Sequence, residues 1–209
     1  MAKYKEAKCK ICRREGAKLY LKGDRCFTEK CSFDRKPYGP GQHGKDKKRT
    51  TEYKLQLREK QKTKAIYGML EKQFRIFYHR SALKKGASGE NLLSMLERRF
   101  DNVVYRLGLA HSRSQARQLI NHGHFNVNGV RTDIPSFIVK EDDVVAVREK
   151  SRKSKIFKEI IEDLGEKAPV PTWLKLNKEE VSGKVVRIPE REDTTDDIKE
   201  NLIVELYSK

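Results

Sequence analysis

The first hundred residues carry 28 Lys and Arg against 11 Asp and Glu, whereas residues 101–209 carry 19 of each. The whole formal net charge of +17 therefore lies in one half of the chain. Unbalanced charge of that size repels itself unless a polyanion neutralises it, so the N-terminal half is expected to fold around, or onto, a nucleic acid. An anionic membrane surface is the alternative partner. It is disfavoured because no basic amphipathic anchor with bulky apolar residues stands out.

The rest of the composition agrees with a protein completed by a partner. Charged residues make up 37% and hydrophobic ones 36%, with a mean hydropathy of −0.82, which describes thin cores under a wide polar surface. A chain of 209 residues can still bury enough apolar area to fold without disulfide staples. No apolar run approaches the roughly 18 residues of a membrane span, and MAKYKEAKCK lacks the apolar centre of a signal peptide. The expected compartment is the cytosol, where thiols stay reduced.

All four cysteines fall within Cys9–Cys31, spaced C-x2-C, thirteen residues, C-x4-C. Two paired thiols on each side of a short loop is the format of a closed structural zinc site, with Cys9, Cys12, Cys26 and Cys31 as ligands to one tetrahedral Zn2+. Lys8, Lys10, Arg13, Arg14, Arg25 and Lys30 surround the thiols and are expected to lower their pKa values and offset the charge of a tetrathiolate centre. Gly16 and Gly23 supply the turns between the pairs. An iron–sulfur cluster would use the same four ligands, so it remains the alternative cofactor. Two disulfides fit the count but not the reducing compartment, and a redox C-x2-C would belong at a strand-to-helix junction, which this arm lacks.

After Cys31, KPYGPGQHGKDKKRT reads as an exposed linker ending in the basic cluster Lys45, Lys47, Lys48 and Arg49. From Thr51 to Tyr67 the pattern is helical, with Lys54, Arg58 and Lys62 four apart on one face, Lys60 and Lys64 beside them, and only Glu52 and Glu59 to balance them. That face is expected to meet phosphates. Leu70, Phe74, Phe77 and Tyr78 then form a core-facing stripe. A helix capped by Ser88 is predicted to run to Gly108 through Leu92, Leu93, Leu96, Phe100, Val103, Val104 and Leu107, with Arg98, Arg99 and Arg106 off the stripe.

Ser112-Arg-Ser-Gln115 fits a capping box opening a second, shorter helix, in which Arg113 and Arg117 share a face and Gly123 is the stop. Phe125-Asn-Val127 leads into Asn128-Gly129, a strong hairpin signal, and Asp142-Asp143 precedes a strand at Val144–Val147. His122 and His124 flank the helix-ending glycine, where a cap or phosphate contact is expected rather than acid–base chemistry. Further on, Ile156, Phe157, Ile160, Ile161 and Leu164 suggest a helix closed by Gly165, and Val185–Ile188 a short strand. Periodicity leaves Leu202–Leu206 open between strand and helix, and the apolar end could dock on the 50–90 helices or face a partner.

The resulting expectation is an α+β chain. A metal-binding basic arm and linker occupy 1–45, and a helical RNA-binding domain occupies 46–96. A module of two helices and a small antiparallel sheet at 97–150 is inserted. Residues 151–209 return as a helix and extended segment that packs on the helical domain. The candidate RNA contacts are Lys8, Lys10, Arg13, Arg14, Lys22, Arg25 and Arg35 in the arm, and Lys54, Arg58, Lys60, Lys62 and Lys64 in the helical domain. In the module they are Arg98, Arg99, Arg106, Ser112, Arg113, Gln115, Arg117 and Asn128.

No phosphate-binding glycine loop and no H-E-x-x-H appears, nor a constellation of nucleophile, base and oxyanion donors, so no catalytic residues and no enzyme are expected. A four-cysteine DNA regulator would need a recognition helix after its knuckles, which is not evident. An RNA-modifying enzyme would need a catalytic domain larger than the roughly 60 residues left after the module.

The cysteine spacing, YGPGQHG at 38–44, LREKQKTKAIYG at 57–68, ERRFDNVVYRLG at 97–108, SRSQARQLINHGHFNVNG at 112–129 and LIVELYSK at 202–209 together resemble the S-four family of bacterial small-subunit ribosomal proteins. The resemblance runs from the first residues to the last. It implies a primary binder of 16S rRNA that grips a multi-helix junction and nucleates assembly of the 30S body. It also implies ribosomal proteins S-five and S-twelve as neighbours in a region that affects translational accuracy, and a cytoplasmic, ribosome-bound location. Lys47, Lys48 and Arg49 are then the candidates for the side where mRNA enters. Asp46 stands where another basic residue would be expected. Some relatives lack the cysteines, so the metal is a variable feature of the family.

Overall fold

The computed structural model describes residues 4–46, 50–162, 170–194 and 197–208. In chain order these form α1 (Lys8–Glu15), a 3-10 turn (Gly23–Phe27), α2 (Ser32–Arg35), α3 (Glu52–Ile66), α4 (Glu71–Ala82), α5 (Ser88–Glu97), α6 (Phe100–Arg106) and α7 (Arg113–Asn121). Strands β1 (Phe125–Val127), β2 (Val130–Arg131) and β3 (Val144–Val147) follow, then α8 (Glu149–Arg152), α9 (Lys155–Glu162), β4 (Leu174–Asn177), β5 (Ser182–Val185), a 3-10 turn (Arg191–Asp193) and α10 (Glu200–Tyr207). The chain divides into two compact units, one made of residues 1–92 and 196–209, the other of 93–195.

In the first unit, Thr51 caps α3 by accepting a hydrogen bond from the Lys54 backbone N–H at 3.3 Å. Its interior face is largely polar, with Gln56, Glu59, Lys60 and Thr63 buried alongside Ile66. Polar groups can be buried only with partners, and α10 supplies several. The Gln56 side-chain amide donates to Glu205 Oε2 at 3.0 Å, and Glu59 Oε1 accepts from the Lys199 backbone N–H at 2.9 Å. Tyr207 stacks on Tyr78 of α4 with ring centres 4.3 Å apart and donates to Glu71 Oε1 at 3.3 Å. Burial first, and then the Glu71 carboxylate, push the Tyr207 phenol well above its usual range. The segment left open as strand or helix is thus a helix docked on α3. Phe74, Phe77 and Tyr78 are buried as the stripe predicts, whereas Leu70 sits outside the helix as its exposed N-cap.

The second unit corrects two expectations. First, the apolar pattern from Ser88 to Leu107 is two helices, and Ser88 is the first helical residue rather than the cap. Arg99 takes an extended conformation (φ −65°, ψ 136°) and bridges to Ile138, while the Phe100 N–H donates to the Phe137 carbonyl at 2.8 Å. A helical period can continue across a two-residue break, so periodicity alone could not show it. Second, the described residues 151–162 and 170–194, expected to complete the helical domain, belong to this unit, where β4 and β5 extend the sheet to five antiparallel strands in the order β2-β1-β3-β5-β4. The strand expected at 185–188 lies earlier, at Ser182–Val185. Leu164 and Gly165, read as the end of a helix, fall outside the described residues.

The sheet buries alternate residues on one face, Phe125 and Val127 from β1, Val145 and Val147 from β3, against Phe100, Val103 and Val104 of α6 and Leu107 at its C-cap, Leu119 and Ile120 of α7, and Phe157 and Ile160 of α9. Phe125 meets Phe100 and Phe157 edge-on at 6.2 and 5.8 Å between ring centres. Asn128 and Gly129 both have positive φ (49° and 80°), the conformation of a type I′ hairpin turn. At Gly183 of β5 the strand lies so close to α6 that a Cβ would run into the Leu107 side chain. Gly183→Ala is expected to cost about 1–3 kcal/mol by overpacking, read as a lower urea midpoint; an unchanged midpoint would show that Leu107 can move aside.

Candidate nucleic-acid interface

The arm is built from short turns. Gly16 ends α1 at φ 68° and Gly23 opens the 3-10 turn at φ 62°. All four cysteines are free thiols, and all four line one small cavity with Lys8, Lys18, Tyr20, Leu21, Lys22 and Phe33. The Lys22 backbone N–H donates to Cys26 Sγ at 3.4 Å. Among the described residues, no three His, Cys, Asp or Glu side chains form a group set to hold a metal ion. The expected lowering of thiol pKa is reversed for Cys12 and Cys26. Burial is the largest influence on both and pushes them up, outweighing a hydrogen bond from the Leu19 backbone at Cys12 and from Lys22 at Cys26, while the neighbouring thiols raise them further.

The candidate RNA contacts separate into two groups. Lys10, Arg14, Lys22, Arg25, Arg35 and Lys54 are exposed on the first unit, available to a phosphate backbone. The others are engaged with the protein itself. Lys8 Nζ reaches the Leu21 carbonyl at 3.5 Å, and Arg13 donates to the carbonyls of Tyr38 and Gly39 at 3.0 and 3.3 Å. Four of the five basic residues of α3 expected to face phosphates are paired with acids, three of them with acids outside the helix. Arg58 pairs with Glu15 of α1 at 3.1 Å, Lys60 and Lys64 with Glu71 of α4 at 2.7 and 3.1 Å, and Lys62 with Glu59 at 2.9 Å. Burial works against ionisation of Glu71, but the hydrogen bonds from Lys60 and Lys64 outweigh it and hold the carboxyl below its ordinary range.

In the second unit the arginines are more deeply committed. Arg99 is fully buried, with Nε and Nη2 donating to the two carboxylate oxygens of Asp101 at 3.0 and 2.6 Å. It cannot be an RNA contact. Arg117 of α7 also reaches Asp101, at 3.3 Å, and Arg106 makes a two-pronged bond to the buried Glu97 at 3.1 and 2.9 Å. Arg98 donates to the Val139 carbonyl at 2.8 Å. Arg113 lies over the Tyr105 ring at 4.7 Å and donates to Asn102 Oδ1 at 2.8 Å, while the Asn102 amide nitrogen caps α5 through the Glu97 carbonyl at 2.8 Å. Arg113 and Arg117 do share a face, and that face is the one that fastens α7 to α6.

Two other polar candidates are structural as well. Ser112 caps α7 by accepting from the Gln115 N–H at 3.3 Å, and the Gln115 side chain returns to the His111 N–H at 2.8 Å, one residue before the partner a capping box would use. Asn128 locks its hairpin by donating to Asp143 at 2.8 Å and accepting from the Val144 N–H at 2.8 Å. His122 is the C-cap of α7, and His124 Nδ1 lies 2.9 Å from Ser151 Oγ. Exposed cations that the motif reading passed over are Lys150, Lys153, Lys155 and Lys158. The basic run EKSRKSKIFK was the signal. Lys47, Lys48 and Arg49 lie outside the described residues; of their neighbours, Asp46 bonds His43 at 2.9 Å.

Comparison with known proteins divides the chain near the start of the second unit. A family model described as Ribosomal protein S4/S9 N-terminal domain matches residues 3–97, and one described as S4 domain matches residues 98–145. The chain is 56% identical to the small ribosomal subunit protein uS4 of Solidesulfovibrio magneticus, 58% to that of Acetivibrio thermocellus and 57% to that of Clostridium tetani. Each match spans 209 residues and 100% of both chains. Together these place the chain in the family of small ribosomal subunit proteins uS4.

Proposed function

We infer that the chain is a structural, rRNA-binding component of the small ribosomal subunit and not an enzyme. The observation that carries this reading is identity of 56–58% over the full length of relatives named as proteins of that subunit. The exposed cations of the first unit fit it. Because folded RNA presents backbone, 2′-hydroxyls and shape, most contacts would go to phosphates and sugars. The finer reading is a hold on a multi-helix junction of 16S rRNA that nucleates the 30S body, beside proteins S-five and S-twelve where decoding accuracy is set. Lys47, Lys48 and Arg49 would serve the mRNA side.

The thiols support a structural metal within this role. Cys9, Cys12, Cys26 and Cys31 would hold one Zn2+, or an iron–sulfur cluster through the same four sulfurs. The donor chemistry fits, with four free thiols at one cavity and a backbone N–H already directed at Cys26 Sγ. A four-thiolate ion leaves no open coordination position and supplies folding free energy rather than reactivity.

Sedimentation of the chain with small subunits and protection of a defined rRNA junction test the reading directly. Each neutralised phosphate contributes roughly −0.7 to −0.9 to the slope of log affinity against log salt, so three or more contacts predict a slope of about −2 or steeper. A slope near zero in a titration with small-subunit rRNA would contradict it.

A further inference from the structure

Tyr20 and Phe27 are stacked on each other at the surface of the arm, ring centres 4.9 Å apart and planes 27° from parallel. Large aromatic rings are ordinarily buried, yet Phe27 is 72% exposed and Tyr20 40% exposed. With one face on Tyr20 and most of its surface in solvent, the Phe27 ring presents its other face outward. The pair is also held in place. Tyr20 adopts a left-handed backbone (φ 49°), which costs a non-glycine residue about 1–2 kcal/mol, and the Lys22 N–H to Cys26 Sγ bond closes the turn between the two rings. Cys26, next to Phe27, is buried.

The surroundings are cationic. The described arm, residues 4–46, has twelve Lys and Arg against six Asp and Glu, and Lys22 and Arg25, between the two rings in sequence, are exposed. A flat open ring among phosphate-seeking cations is the arrangement by which proteins hold an unpaired nucleobase: the cations track the backbone and the aromatic face takes the base without regard to its identity. A protein partner would also bury aromatics, but the core of a protein–protein interface is depleted of charged residues, whereas cations flank these rings.

We propose that the Tyr20–Phe27 pair is a stacking platform for one unstacked base of the RNA. This rests on the RNA-binding reading above and adds to it a contact that is not electrostatic. The test uses the full chain and in vitro transcribed small-subunit rRNA. Phe27→Leu keeps apolar area and removes the π face; it is expected to weaken binding by about five- to hundredfold with an unchanged salt slope, whereas Phe27→Trp retains wild-type affinity. Chemical probing is expected to show one nucleotide shielded by the wild-type chain and reactive with Phe27→Leu. Resistance of the arm to limited proteolysis checks that the variant is folded. Should the arm of Phe27→Leu be disturbed, the introduced indole of Phe27→Trp still reports: quenching on RNA binding supports stacking, and an unquenched indole in the saturated complex overturns it. Equal affinity of Phe27→Leu and wild type overturns the platform alone. A wild-type chain that fails to bind the rRNA overturns the RNA reading and the platform with it.

Discussion

Asp101→Asn is expected to lower the unfolding free energy by about 3–5 kcal/mol, the cost of removing one partner from a buried ion pair. The Asp101 side chain is 4% exposed and that of Arg99 0%. The carboxylate accepts from Arg99 at 3.0 and 2.6 Å and from Arg117 at 3.3 Å, so its loss leaves two guanidinium charges against a neutral amide. Domains of this size hold only about 5–15 kcal/mol in total, so the second unit would be close to unfolding at physiological temperature. Urea unfolding with an unchanged m-value measures it, and a loss under about 1 kcal/mol would mean that water relieves the charges. Arg187 and Asp193 make a comparably short bond at 2.7 Å, but the Arg187 side chain is 39% exposed, so water can take up its charge and Asp193→Asn should cost less than Asp101→Asn.

Loss of the metal proposed above is expected to have the other large effect, confined to the arm. Structural zinc sites contribute apparent binding free energies of about 10–16 kcal/mol to segments that cannot fold without them, and the arm's few buried side chains include Leu19 and three of its cysteines. Cys26→Ser, or a chelator strong enough to compete for a four-thiolate ion, should release protection from hydrogen exchange across residues 8–35 and leave β1 and β3 fully protected. Metal analysis of the purified chain distinguishes zinc from an iron–sulfur cluster. Unchanged protection of the arm in the Cys26→Ser chain would sink the structural role of a metal.

Local signals read well wherever the decisive interaction is local. The Ser112 cap, the Asn128-Gly129 turn, the Gly123 stop and the strands Phe125–Val127 and Val144–Val147 stand where the sequence placed them. The failures are long-range. Nothing near α3 announces that Glu15 and Glu71 come to neutralise its cations, so a helix with two local acids looked like a phosphate-facing one. Charged residues off an apolar stripe are usually external, and only the fold brings buried Glu97 to Arg106; Arg99 is the local exception, since Asp101 lies two residues on and the sequence hides only the burial of both. β4 alternates apolar and polar residues over only four positions, too few to read as a strand, and β5 has Val185 as its one large apolar residue, which leaves its start unmarked. The family, by contrast, was legible from motif order alone, since that depends on residue identity rather than on contacts.

Docking of α10 on α3 has a consequence for how the chain is made. Residues 93–195 are contiguous and can pack as soon as they emerge, but the first unit waits for residues 196–209 to supply the groups that satisfy Gln56 and Glu59. At synthesis rates of about 5–20 residues per second, roughly 6–25 s separate translation of the end of the first segment from that of α10. The part made first is therefore finished last, and its polar helix and unneutralised charge stay open in the nascent chain throughout that interval.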